Sequence, residues 1–154
     1  MSNAPNFHVV LHQPEIPHNT GNVGRTCVAI GAKLWLVRPL GFRMDNHYLK
    51  RAGLDYWDHL DWTVKDDWDS LRQATATRPY WLFSKTAERE YTSARFTPDD
   101  LLVFGSETQG LPRSLLAENA DRSLRIPIRP EVRSLNLASA VAIVLYEALR
   151  QQGS

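Results

Sequence analysis

The chain has 154 residues, 43% of them hydrophobic and 23% charged, with a formal net charge of +1. That length suits one domain with a single core, and the composition excludes collagen-like, coiled-coil and wholly disordered chains. Charge is segregated, at +4 over residues 1–54, −4 over 55–100 and +1 over 101–154; this excludes a uniformly basic wrap, yet the two ends can still jointly face a polyanion.

Taken in chain order, the apolar run Phe7–Leu11 reads as a buried strand, stopped by Gln13-Pro-Glu-Ile-Pro17. Asn19 is placed to cap a helix over Thr20–Ile30, which Gly31 ends. Lys33–Arg38 is a second strand closed by Pro39, and Asp45–Ala52 a short helix. The acidic, tryptophan-rich stretch 55–69 reads as a packed edge with a solvated face. A helix follows over Asp66–Ala74, then strands at Tyr80–Phe83 and Leu101–Phe104. Pro112 suits the first position of a helix running to Asn119, and Leu124–Ile126 is a fifth strand. Strands alternating with helices imply an α/β fold, a mainly parallel sheet with helices on both faces. In the last helix, Asn136–Gln151, Leu137, Ala140, Val141, Val144, Leu145, Ala148 and Leu149 form one stripe. Ala138, Ala142, Ile143 and Tyr146 carry apolar character round the other side. A helix apolar on two sides is buried on both, which in so small a domain favours a subunit contact over a wholly internal helix.

Cys27 is the sole cysteine, so neither an intrachain disulfide nor a cysteine zinc site is available. His8 and His12 fall about 13 Å apart in a strand, too far to share an ion, and no metal is expected. No run is long and apolar enough for a membrane span. The polar start, residues 1–6, reads as a loose lead without a signal-peptide core, and the expected location is cytoplasmic. Domain and chain are taken as one, residues 1–154.

Three segments invite chemistry. Asn19-Thr-Gly-Asn-Val-Gly-Arg25 opens a helix with small residues, where free amides and Arg25 suit an anion; an ordinary cap with a surface arginine explains the same residues better. Gly105-Ser-Glu-Thr-Gln-Gly110 follows a strand. Its glycine spacing is that of a phosphate loop, but Leu111-Pro112 stands where that loop needs Lys and Ser/Thr, so that identity is rejected. A ligand-binding turn and a plain strand-to-helix turn remain equally good readings. Ile126-Pro-Ile-Arg-Pro-Glu-Val-Arg-Ser-Leu-Asn136 combines stiffening prolines with Arg129, Arg133, Ser134 and Asn136, and looks like a binding loop; the alternative is a solvated connector capped by Ser134.

Together the three segments resemble the SpoU branch of the SPOUT superfamily of RNA methyltransferases, over nearly the whole chain. N-T-G-N-V-G-R resembles its first motif, L-V-F-G-S-E-T-Q-G-L-P its second and I-P-I-R-P-E-V-R-S-L-N-L-A-S-A-V its third. Glu15-Ile-Pro17 and Arg51-Ala-Gly-Leu-Asp-Tyr56 are similar to the compact subfamily that methylates the 2′-hydroxyl of tRNA nucleotide 34. The resemblance implies a C-terminal trefoil knot, an obligate homodimer and S-adenosyl-L-methionine as methyl donor. It places the donor among Phe83, Gly105, Gly110, Ile126, Ile128, Ser134 and Leu135. It makes Arg25 the catalytic residue, supplied by the partner subunit. Asn19, Arg129, Arg133 and Asn136 become RNA-binding candidates, and Glu107 an alternative proton acceptor. The implied substrate is cytidine or modified uridine at position 34 of leucine tRNAs. The same chemistry on another tRNA or rRNA nucleotide, a non-catalytic RNA-binding module and a flavodoxin-like nucleotide regulator are the competing expectations.

Overall fold

The computed structural model describes residues 7–44 and 55–153. The lead at residues 1–6, the helix expected over Asp45–Ala52 and the first part of the Arg51–Tyr56 segment lie outside them.

The strand β1 (His8–His12) sits in the middle of the sheet and is buried along its whole length. Alternation explains its sequence. Val9 and Leu11 point into a core shared with Val23 and Cys27 of α1 (Pro17–Ile30) and with Val141, Val144, Leu145 and Ala148 of α4 (Leu137–Gln151). Val10 packs on the opposite face with Trp35 and Val37 of β2 (Lys33–Val37), Leu71 of α2 (Trp68–Ala74) and Leu111. Apolar residues are therefore needed at successive positions, as in any parallel strand covered on both sides.

The other strands are β3 (Trp62–Lys65), β4 (Tyr80–Phe83), β5 (Arg89–Glu90), β6 (Leu101–Phe104) and β7 (Ser123–Arg125). Their order is β3-β2-β1-β6-β4-β7-β5 and every pairing is parallel. A short helix α3 (Arg113–Glu118) follows β6. The expected mainly parallel sheet with helices on both faces is present, with seven strands among the described residues rather than five. The two added strands are the edges. β5 is an exposed Arg-Glu pair, and β3 is only half buried, so neither shows an apolar run. The stretch 55–69 is indeed a packed edge: Trp57 and Leu60 are buried, while Asp61 and Asp66 face outward and pair with Lys33 and Arg38 of the neighbouring strand or its end, at 2.9 and 2.8 Å.

Element boundaries moved for local reasons. α1 begins at Pro17, preceded by Ile16, and not at an Asn19 cap; proline favours the first helical position, and Asn19 lies inside the helix. Gly31 ends it with φ of 85°, as expected. Pro112 precedes α3 instead of opening it. β7 starts one residue earlier than expected, so Ile126 follows the strand. Asn136 caps α4, accepting from the N–H groups of Ala138 and Ser139, which leaves no capping role for Ser134. On α4 the buried stripe faces the sheet, while Ile143 and Tyr146 stay 36% and 52% exposed. No helix among the described residues is long and apolar enough to cross a membrane.

His8 is buried at the opposite end of β1 from the motif loops. Its Nδ1 accepts a hydrogen bond from Trp35 Nε1 at 3.0 Å. Burial, aided by Arg78 and Lys33, pushes its pKa down to about 4. The unfolded chain therefore binds this proton first, and stability falls as pH drops from 6.5 towards 4. The melting temperature is expected to fall through that window, and less steeply in His8→Gln, which keeps an acceptor for the indole. Identical slopes would show that His8 titrates as an ordinary histidine.

Candidate active site

Parallel strands put all their carboxyl ends on one edge, and the three motif segments emerge or end there. Glu107, in the loop after β6, reaches across to the segment after β1. Its Oε1 accepts from the Glu15 N–H at 2.8 Å, and its Oε2 from the Ile16 N–H at 2.8 Å and from Asn19 Nδ2 at 3.2 Å. Glu15 returns the contact. Its Oε1 accepts from the Thr108 N–H at 3.0 Å and from Thr108 Oγ1 at 2.7 Å. These bonds hold the Glu15 carboxyl below the usual range. Asn19 Oδ1 in turn accepts from Asn136 Nδ2 at 3.0 Å. One chain of hydrogen bonds thus joins the first motif, the second and the cap of α4. Asn19 is only 6% exposed, and both ends of its amide are engaged.

This arrangement bears on the helix start expected to receive an anion. The peptide N–H groups just ahead of α1 already have one, the Glu107 carboxylate. It also bears on Glu107 as a proton acceptor, because both its oxygens already receive N–H donors.

The glycines of the second motif have an internal cause. A Cβ on Gly105 would lie 2.1 Å from the Gly110 carbonyl carbon, and Gly110 holds φ of +69° while its own Cβ position is open. The turn closes on itself through the Gly110 N–H, which donates to the Ser106 carbonyl at 3.0 Å.

Beside this turn, Phe83 at the end of β4 stacks on Phe104 at the end of β6, with centroids 4.7 Å apart. Ile126 and Ile128 are half buried, whereas Ser134 and Leu135 are exposed. The N–H groups of Ile128, Ser134 and Leu135 have no hydrogen-bond partner among the described residues. Lys85 Nζ donates to the Arg133 carbonyl at 3.3 Å, tying the loop after β4 to the third motif. The guanidinium of Arg129 is exposed beside Glu131 at 3.4 Å, a pairing worth little in water. Arg133 is also exposed.

Arg25 stands apart from this group. It lies six residues beyond Asn19, about 9 Å further along the helix axis. It is exposed, forms no ion pair with the described residues, and lies over the Tyr56 ring at 5.9 Å from the centroid. Within one chain the structure therefore gathers Asn19, Glu107, Asn136 and the loop residues, but does not bond Arg25 to them. The sequence reading missed Glu15 and Thr108 as partners. The usable sign was a carboxylate two residues ahead of a helix-opening proline.

The sequence pattern of the SpoU rRNA Methylase family matches residues 6–146. A Geobacillus stearothermophilus protein with the provisional name tRNA (cytidine(34)-2′-O)-methyltransferase is 50% identical over 149 residues, covering 95% of each chain. The tRNA (cytidine(34)-2′-O)-methyltransferase of Burkholderia ambifaria is 45% identical over 150 residues, covering 96% of each. A structure solved to explain 2-OH methylation of C/U34 on tRNA superposes with a TM-score of 0.88 at 47% identity, covering 96% of both chains. The longer SpoU methyltransferase AviRb of Streptomyces viridochromogenes, solved with AdoMet, gives 0.76 at 27% identity, over 97% of this chain and 59% of that one.

Glu107→Ala is expected to lower folding stability by about 2 kcal/mol, since it strands three N–H donors, two of them backbone. Urea denaturation measures this. A loss below about 0.5 kcal/mol would mean that water replaces the carboxylate without difficulty.

Proposed function

The chain belongs to the SpoU rRNA Methylase family, and we propose that it transfers a methyl group from S-adenosylmethionine to the ribose 2′-hydroxyl of nucleotide 34, cytidine or uridine, in tRNA. What carries this reading is the meeting of three motif segments on one sheet edge, stitched by Glu107, Asn19 and Asn136. Leucine tRNAs are the substrate that the sequence resemblance implies, and the cytoplasm the corresponding place of action.

The donor fits the residues present. Ile126, Ile128 and Leu135 offer apolar surface for a heteroaromatic ring, while Phe83 is itself buried against Phe104. The unbonded N–H groups of Ile128, Ser134 and Leu135 offer donors to its edge. Gly105 and Gly110 keep the neighbouring turn narrow. S-adenosylmethionine supplies an electrophilic methyl on a sulfonium. The protein's task is to hold the 2′-oxygen in line with it while the hydroxyl proton departs. An arginine side chain offers donors and no acceptor, so Arg25 does not take that proton. It clamps the adjoining phosphate and orients the hydroxyl, and the proton passes to phosphate or water. Glu107 is already engaged by N–H donors and braces the site. Asn19 and Asn136 brace it from α1 and α4 through their paired amides. Arg129 and Arg133 contact RNA phosphates, which position the substrate without reading its sequence.

The active form is a homodimer in which Arg25 of one chain serves the donor loops of the other. Two observations support this: Arg25 has no link to those loops within its own chain, and Ile143 and Tyr146 leave apolar surface on the outer side of α4. The C-terminal segment is threaded as a trefoil knot. In support, β7 lies between β4 and β5, two strands that residues 84–88 join directly.

Incubation with labelled donor and total tRNA, followed by mass-spectrometric mapping, is expected to show a 2′-O-methyl group at nucleotide 34 of leucine tRNAs. A label elsewhere, or none, would contradict the assignment. Arg25→Ala is expected to slow transfer about 100-fold or more while leaving donor affinity within about twofold. Equal loss of both would make Arg25 structural. Sedimentation is expected to show a dimer; a fully active monomer would rule out the shared site.

A further inference from the structure

The segment at residues 55–60 grips α1 at the level of Arg25 from two directions. The Tyr56 hydroxyl donates to the Gly21 carbonyl. In an α-helix that carbonyl is also the acceptor for the N–H four residues on, which belongs to Arg25. Trp57 presses against the residue before Arg25, since a Cβ on Gly24 would come within 2.5 Å of its indole. The Tyr56 ring then lies under the Arg25 guanidinium itself.

We propose that Tyr56 is a positioning residue that aims Arg25 at the substrate phosphate, holding both the helix turn that carries it and the guanidinium. This rests on the reading of Arg25 given above. The choice of an aromatic partner has a physical reason. A carboxylate would fix the guanidinium too, but would occupy its N–H donors and cancel its charge. An aromatic face attracts the cation from the side and leaves the in-plane donors free for a phosphate. The hydroxyl stays a donor across the neutral range, because burial raises the Tyr56 pKa above its ordinary value, more than Arg25 lowers it. Among the described residues the Arg25 side chain makes no other hydrogen bond, ion pair or ring contact, so the tyrosine is what orients it in the free protein.

The test compares Tyr56→Phe, Tyr56→Leu and Arg25→Ala by kcat, KM for tRNA, donor affinity by calorimetry and melting temperature. Tyr56→Leu is expected to lower kcat about tenfold, with donor affinity and KM within about twofold. Tyr56→Phe, which keeps the ring, is expected to retain most of kcat, and so serves should the leucine variant fail to fold. A fully active Tyr56→Leu beside a dead Arg25→Ala would overturn this proposal and leave the role of Arg25 standing. An active Arg25→Ala would remove that role and this proposal with it. A kcat loss in Tyr56→Phe that tracks donor affinity and melting temperature would make Tyr56 merely structural.

Discussion

The Glu107 carboxylate holds the site together. It comes from the loop after β6, yet it accepts the two peptide N–H groups ahead of α1 and the amide of Asn19 within it. These partners lie about ninety residues away in sequence. Charge-assisted bonds to N–H donors at a helix start combine charge attraction with directional geometry. Because Asn19 passes the connection to Asn136, and Asn136 caps α4, the entry of the last helix is set by the same carboxylate. The third motif therefore has a fixed exit, and Lys85 holds its middle from the side.

That network leaves a division of labour. The residues within it are hydrogen-bonded to one another. The groups left over among the described residues are those a methyl transfer needs: an apolar rim with unbonded N–H donors, and an arginine with no competing carboxylate. Among the described residues no bond joins the two within one chain. In the homodimer proposed above, a two-fold contact would bring each arginine to the other chain's rim by the same surface.

Much of the fold was legible in the chain. The apolar strands β1, β2, β4 and β6 announce themselves because they are buried on both faces, and α4 because its stripe repeats at helical spacing. The edge strands were not legible. β3 takes its place through its backbone ladder with β2 and the half-buried Trp62 and Val64, contacts between residues far apart in sequence, and β5 is too short and polar to carry a pattern. The start of α1 was misplaced because Asn19 has the character of a cap, while Pro17 decides the boundary and Asn19 bonds inward instead. At the site, the three motifs were visible as segments, but not what joins them. A glutamate in a glycine turn looks the same whether it accepts a proton or a row of N–H groups. Tyr56 showed only as the last residue of a segment similar to the compact subfamily; its contacts gave no sign, since its partners are on a helix more than thirty residues away.

The most direct test of the shared site is complementation between two inactive chains. One carries Arg25→Ala and the other Leu135→Arg, which places a charge on the donor rim; the two are co-expressed and purified as a mixed dimer. If each site takes its arginine from one chain and its donor loops from the other, a mixed dimer holds one intact site. The purified mixed dimer is then expected to show about one half of the wild-type rate. Mixed dimers that stay inactive would show that arginine and donor loops must come from the same chain, and would contradict the account.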